Sequence, residues 1–182
     1  MNCVNCKGKS CRDGIDCAGH NLDPAEILEA YHNPETQRIV QAAAALVDNG
    51  RAGALSRLEE VIEFAAYMEY KTVGLAYCFG LEEEARKFSR HLAARGFSVK
   101  AVSCTVTGLT QDRINRASTI TAKSCNPIAQ AEQLNSENVE LTAVIGLCLG
   151  HDILFQKYIQ GPVTTFAVKD RVFDHCPLKA LR

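Results

Sequence analysis

The sequence predicts an α/β protein: a small Rossmann-like or flavodoxin-like parallel sheet of about four strands with flanking helices, preceded by a cysteine-rich N-terminal knuckle. Three observations lead there. From residue 72 onward, short apolar runs alternate with amphipathic stretches, the rhythm of strand–helix–strand units. Upstream, two Asx-Pro steps and a Ser/Glu pair mark helix starts. Before them, residues 1–20 hold four cysteines and no apolar periodicity, so they cannot build a core of their own. The expected division is a knuckle over 1–20 and an α/β domain over 21–182, whose N-terminal helices fill 24–70.

Asp23-Pro24 and Asn33-Pro34 each read as an N-cap followed by proline at the first helical position. From Pro34, Ile39, Val40, Ala43, Ala44, Leu46 and Val47 form a helical stripe, and Asn49-Gly50 ends it. Ser56 with Glu59 is a capping box, after which Leu58, Val61, Ile62, Ala65 and Met68 repeat at helical spacing. Thr72–Cys78 reads as a buried strand, Leu81–Arg95 as an amphipathic helix closed by Gly96, and Phe97–Cys104 as a second strand. Thr105–Ser124 is a long polar stretch without periodicity, the signature of a functional or mobile loop. Asn126-Pro127 opens a helix through about Leu134, Leu141–Cys148 is a third strand, His151–Gln160 a helix and Val163–Val168 a fourth strand.

Composition excludes several function classes. Apolar residues make up 47% and charged residues 23% of the 182, enough to build a core and too apolar for wholesale disorder. Net charge is −1, so no basic excess attracts nucleic acid or an anionic membrane. Trp is absent, which argues against base-stacking platforms. No apolar run approaches the ~18 residues of a membrane span. Met1 to Ser10 is polar and carries Cys3 and Cys6, unlike a signal peptide. The chain is therefore expected to be soluble and cytoplasmic. In a reducing compartment, nine cysteines point to metal ligation or redox chemistry rather than a disulfide frame.

Cys3, Cys6, Cys11 and Cys17 read C-x2-C-x4-C-x5-C. Four thiolates this close can surround one metal centre, with Gly8 and Gly14 letting the backbone wrap and Lys7, Lys9 and Arg12 offsetting charge. Such a set suits Zn²⁺ and an iron–sulfur cluster equally well. His20, three residues past Cys17, is an alternative ligand.

Cys78, Cys104 and Cys148 each fall at the carboxyl end of an expected strand, and Cys125 just before a helix N-cap. In a parallel sheet all strand C-termini share one edge, where ligands bind. With flavodoxin-like strand order, the first and third strands are neighbours, and Cys78 and Cys148 flank the crevice with Cys104 beside them. Helix N-termini near Leu81, Asn126 and His151 point their positive ends at the same place, a field that favours thiolates. Together these residues suggest a second metal centre, an iron–sulfur cluster in the first instance. The plainer reading is four buried structural thiols, since unpaired Cys packs as a small hydrophobe.

Gly146-Leu147-Cys148-Leu149-Gly150 has the G-x-C-x-G shape of a nucleophile elbow, and GLCLGHD resembles the nucleophile motif of class I glutamine amidotransferases. A cysteine nucleophile needs a histidine base and a carboxylate to orient it. Downstream of the motif itself, only the adjacent Asp174 and His175 form such a pair, and 34 residues after Cys148 are too few for the amidotransferase C-terminal half. His151 abuts the elbow and His175 lies beside Cys176, and either is a candidate ligand or proton donor. Cys176 is a candidate spare ligand. Lys169-Asp170-Arg171 follows the last strand at the same sheet edge, where a cation could meet an anion, although a solvated charge run is the commoner meaning.

Three runs carry a family resemblance: Ser124–Glu132 (SCNPIAQAE), Gly146–Asp152 (GLCLGHD) and Val168–Val172 (VKDRV). With the C-x2-C start and the Tyr77-Cys78-Phe79-Gly80 turn, the chain resembles the family known as domain of unknown function 1847 over nearly its whole length. The resemblance implies a small cysteine-rich protein expected to bind metal, with no reaction assigned. Cys3, Cys6, Cys11, Cys17, Cys78, Cys125, Cys148 and His151 occupy matching positions, and Cys176 matches less closely. The family pattern often has a second cysteine near Cys104, whereas Thr105-Val106-Thr107 has none.

The expected function is metal binding through cysteine, with an iron–sulfur cluster ([4Fe–4S]) and/or Zn²⁺ as cofactor, serving redox or electron transfer with a redox partner protein. Cys3, Cys6, Cys11 and Cys17 would hold the outer centre. Cys78, Cys104, Cys125 and Cys148 would hold the inner one, with His151 close by. The alternatives are a cysteine-nucleophile enzyme using Cys148 and His151, and a zinc-stabilised binding module without chemistry.

Overall fold

A computed structural model of the chain describes residues 2–15 and 23–182. The chain divides into two compact units, Met1–Gln41 and Ala42–Arg182.

In the first unit, Cys3–Asn5 and Ser10–Asp13 form two single 3-10 turns. Gly14 closes the second turn in the left-handed region at φ 75°, as expected for a tight wrap. At the other bend Lys9, rather than Gly8, takes the positive φ of 47°. Helix α1 spans Pro24–His32, and helix α2, Pro34–Val47, begins in the first unit and ends in the second. Asp23 caps α1 by accepting the Ala25 amide at 2.8 Å, and Asn33 Oδ1 accepts the Glu35 amide at 3.0 Å. Both Asx-Pro starts thus form as their chemistry dictates.

The second unit contains α3 (Arg57–Tyr67), β1 (Thr72–Tyr77), α4 (Glu82–Ala94), β2 (Ser98–Ser103), α5 (Gln111–Ile114), α6 (Pro127–Ser136), β3 (Leu141–Ile145), α7 (Leu149–Tyr158) and β4 (Val163–Ala167). The Ser56/Glu59 capping box forms reciprocally at the start of α3. The four strands make one parallel sheet in the order β2-β1-β3-β4. β1 and β3 are therefore neighbours, the flavodoxin-like arrangement in which strand order reverses beside β1.

Side chains alternate between the two sheet faces with period two. Val73 and Leu75 of β1 with Leu141, Ala143 and Ile145 of β3 join Val61, Ile62 and Ala65 of α3 and Ala85, Phe88 and Leu92 of α4. The other cluster holds Ala76, Val102 and Val144 with Ala131 and Leu134 of α6, Leu147, and Phe155 of α7. Cys78 and Cys104 belong to this second cluster.

Thr105–Ser124 is more ordered than its composition suggests. It carries α5, an isolated antiparallel bridge between Thr110 and Lys123, and a short hydrogen bond from Ser124 Oγ to Gln111 Oε1. Backbone bonds from Gln111 to Ala122, Asp112 to Ile120 and Ser124 to Leu109 close it on itself. A polar segment can order without apolar periodicity when its own backbone supplies the partners.

Candidate functional site

The first three cysteines of the knuckle, Cys3, Cys6 and Cys11, are exposed. The Lys9 amide donates to Cys6 Sγ at 3.4 Å. Cys17 and His20 lie outside the described residues.

The sheet edge brings together the other four cysteines. Cys78 follows β1 directly, Cys104 follows β2 directly, and Cys125 precedes the α6 N-cap Asn126. The expectation for Cys148 needs correction: β3 stops at Ile145, and Cys148 is the N-cap of α7. The reason is Gly146, whose φ of +64° turns the chain out of the sheet. Accordingly α7 begins at Leu149, not His151, which lies within the first turn.

Backbone bonds fix these positions. The Cys78 amide donates to Ile145 O at 3.0 Å and the Cys104 amide to Tyr77 O at 2.9 Å. The Asn126 amide donates to Cys104 O at 2.6 Å, drawing the Cys125 segment against the end of β2. Gln130, fully buried on α6, donates through Nε2 to Val102 O at 2.6 Å and Tyr77 O at 3.1 Å. It ties the ends of β1 and β2 just behind Cys78 and Cys104.

The sulfurs and their neighbours form one electrostatic group. Cys125 and Cys104 Sγ lie 3.4 Å apart, with Cys125 as donor, and the Phe79 amide donates to Cys104 Sγ at 3.4 Å. Cys104 in turn donates to Cys78. That bond, then the Gly80 amide and the Lys169 ammonium, hold the Cys78 pKa down to about 5 against the opposing effect of burial. The same bond pushes Cys104 upward, with burial adding to it. Burial raises Cys125, as do the charges of Cys78 and Cys148, while contact with Cys104 and the Arg171 charge pull it back. Arg171 Nη2 donates to Cys148 Sγ at 3.3 Å, which raises the guanidinium's own pKa.

Cys78 and Cys104 are buried, while Cys125 and Cys148 are half-buried. Cys78 and Cys104 are thus packed core thiols and members of a charged cluster at once. Among the described residues, no group of three or more His, Cys, Asp or Glu is arranged to hold a metal ion. As they stand, Cys78, Cys104 and Cys125 hydrogen-bond in series and Cys148 pairs with Arg171, rather than all four converging on one ion.

His175 does not serve Cys148. Its Nδ1 accepts the Asp170 amide at 3.1 Å and lies 3.1 Å from Val168 O. Asp170 Oδ1 accepts the Val172 and Phe173 amides at 2.9 and 3.0 Å. This closed loop carries Lys169 and Arg171 toward the sulfurs. His151 is half-buried and Cys176 is exposed. A groove of about 460 Å³ runs along β2, lined in part by Val99, Val102, Gln133 and Glu137, and none of the four rim cysteines lines it.

The depressed Cys78 pKa makes stability depend on pH. The folded state keeps this thiolate down to about pH 5, whereas an unfolded thiol takes its proton near ~8.5. Between those values the unfolded chain binds more protons, so stability should fall as pH is lowered from ~8.5 toward 5. Cys104, raised, works oppositely above the ordinary thiol range, losing its contribution as pH rises there. Urea midpoints of reduced, chelator-treated protein should therefore climb from pH 5 to 8, and Cys78→Ala should flatten that climb. An unchanged slope in the variant would contradict the assignment.

These features define a parallel α/β protein with a thiol cluster, backed by two cations, at the carboxyl edge of its sheet. The family described as protein of unknown function DUF1847 matches residues 18–166, and the chain belongs to that family. The matched span includes Cys78, Cys104, Cys125 and Cys148. The chain is also 42% identical over 180 residues to the uncharacterized protein MJ0455 of Methanocaldococcus jannaschii, covering 96% of this chain and 90% of that protein. No solved structure matches it. No helix among the described residues is long and apolar enough to cross a membrane.

Sequence reasoning had singled out all four rim cysteines. It missed Gln130, whose signal was a polar residue at the position preceding Ala131, with Pro127 and Leu134 on the same face.

Proposed function

We propose that the protein binds a soft metal centre through Cys78, Cys104, Cys125 and Cys148, as an iron–sulfur cluster or as Zn²⁺. The observation that carries this reading is the gathering of four thiols from four separate segments into one group, with a lysine and an arginine bonded to its sulfurs. The donor chemistry fits: thiolates select zinc and iron–sulfur clusters. Four thiolates around a divalent ion or a doubly charged cluster leave two negative charges, which Lys169 and Arg171 offset. Closing on the metal requires side-chain rotation, because Cys125 now hydrogen-bonds to Cys104 and Cys148 to Arg171. The bound centre would supply one-electron chemistry if it is a cluster, or structural cross-linking if it is zinc. Around it, the residues of this chain bury two ligands, supply amide donors from Phe79 and Gly80, and leave Cys125 and Cys148 half-buried. Cys3, Cys6, Cys11 and Cys17 would form the second, outer centre.

Anaerobically purified protein should be brown for a cluster and colourless for zinc, with iron, zinc and sulfide quantified to decide between them. Replacing Cys78 and Cys148 together by Ala should abolish the metal of the rim, while Cys3→Ser with Cys6→Ser should leave it. Retention of rim metal in the first variant would remove these residues from the ligand list. Metal-free protein under every loading condition would overturn the reading.

The nucleophile alternative has less support, because Cys148 is bonded to Arg171 and His175 is engaged within its own loop. Absence of thiol-dependent hydrolysis of glutamine and simple esters would end it.

A further inference from the structure

Cys104 and Cys125 are held together more tightly than metal ligation requires. Their sulfurs are 3.4 Å apart across 21 positions of sequence. Both backbones are pinned: Cys104 N–H on Tyr77 O, and Asn126 N–H on Cys104 O at 2.6 Å. The segment between them is itself closed by the Thr110–Lys123 bridge and the Ser124–Gln111 bond. A disulfide would bring these sulfurs from 3.4 Å to ~2.05 Å.

From this geometry we propose that Cys104 and Cys125 are a dithiol that exchanges with small-molecule disulfides to form a reversible intramolecular disulfide. Cys125 is half-buried and Cys104 is 1% exposed, so the incoming disulfide meets Cys125. The Cys125 sulfur, after losing its proton to solvent, attacks one sulfur of R–S–S–R. A Cys125–S–S–R bond forms, the R–S–S–R bond breaks, and the first RS⁻ leaves and takes up a proton. Cys104 then attacks the Cys125 sulfur, forming the protein disulfide and expelling the second RS⁻, on which the Cys104 proton ends. Two protein thiols are oxidised, one external disulfide is reduced to two thiols, and no other reactant is needed. Access and proximity favour this pair, while the raised pKa values of Cys125 and Cys104 slow each attack without preventing it. In one respect the inference rests on the metal reading: the same two sulfurs cannot serve both uses, so the disulfide form should not load the rim centre.

The experiment treats reduced, chelator-treated full-length protein with oxidised glutathione. Remaining thiols are then alkylated in denaturant and the linkages mapped by peptide mass spectrometry. The expected result is a Cys104–Cys125 linked peptide as the dominant product, lost in Cys104→Ser and in Cys125→Ser and retained in Cys176→Ser. Circular dichroism checks that each variant is folded. A Cys78–Cys104 linkage, or a mixed disulfide persisting at Cys125, would overturn the inference. A second arm loads the reduced and oxidised forms with zinc alone. Rim uptake should fall at least tenfold on oxidation and return with dithiothreitol. If reduced protein takes up neither zinc nor iron, the metal reading fails and the linkage map still decides the dithiol. If metal loads but the linkage never forms, the dithiol fails alone.

Discussion

Replacing Phe155 by alanine should cost about 3–5 kcal/mol of stability, in the range for removing a fully buried aromatic side chain. Phe155 is 0% exposed and is the one buried residue of α7. The rest of that helix offers little to the sheet: Leu149 is 79% exposed, Ile153 55% and Leu154 39%. One phenyl ring therefore fastens α7 against Ala76, Val102, Leu134, Val144 and Leu147. The same cluster includes Cys78 and Cys104. For a chain of this size the loss corresponds to roughly 6–20 °C in Tm. Leu149→Ala on the same helix should change stability by less than ~0.5 kcal/mol. Urea denaturation of both variants checks the pair, and a Phe155→Ala loss below ~1 kcal/mol would show that α7 is held by something else.

The parts of this fold legible in the sequence are those set by local chemistry. Asp23-Pro24, Asn33-Pro34 and the Ser56/Glu59 box each specify a helix start through a side chain that reaches only two or three residues. The parallel sheet was legible because its two central strands, β1 and β3, are buried on both sides and read as apolar runs. Strand ends were less so. Hydrophobicity continues through Leu147 and Cys148 after β3 has ended, because a buried elbow needs apolar residues as much as a strand does. The gathering of the cysteines followed from topology, since four positions adjacent to one sheet edge must approach each other. What spacing could not supply was the partner of each sulfur. Lys169 and Arg171 stand in a charge run that has the same composition whether it is solvated or turned inward. Their direction depends on the Asp170–His175 bonds that curl the loop. Gln130 was hidden for a related reason: it looks like part of a polar helix face until the carbonyls of Tyr77 and Val102 are seen opposite it.

Gly146→Ala joins the fold to the site and should cost about 2–4 kcal/mol, combining left-handed backbone strain with overpacking. At φ +64° an L-residue pays for its Cβ whatever space it finds. Here the space is already taken, because a Cβ at Gly146 would stand 2.1 Å from Leu81 Cδ1. Leu81 is buried within the α3–α4 cluster, so its side chain has little room to retreat. The same Cβ would lie 3.7 Å from Lys169 Nζ, close to the ammonium that bonds Cys78. Relief by moving Leu81 disturbs the Phe79–Leu81 turn, whose first amides face Cys104 and Cys78. Relief by moving the elbow displaces Cys148 from Arg171. Either route raises the Cys78 pKa or loosens Cys148, so the variant should show a thiolate ultraviolet titration shifted to higher pH along with its lower urea midpoint. Gly150→Ala separates these effects from a general penalty on the G-x-C-x-G turn. Gly150 lies in the first turn of α7 with open space around a Cβ, so alanine there should be neutral or slightly stabilising. Equal losses at the two glycines would refute the steric argument and with it the role assigned to the Gly146 bend in placing Cys148.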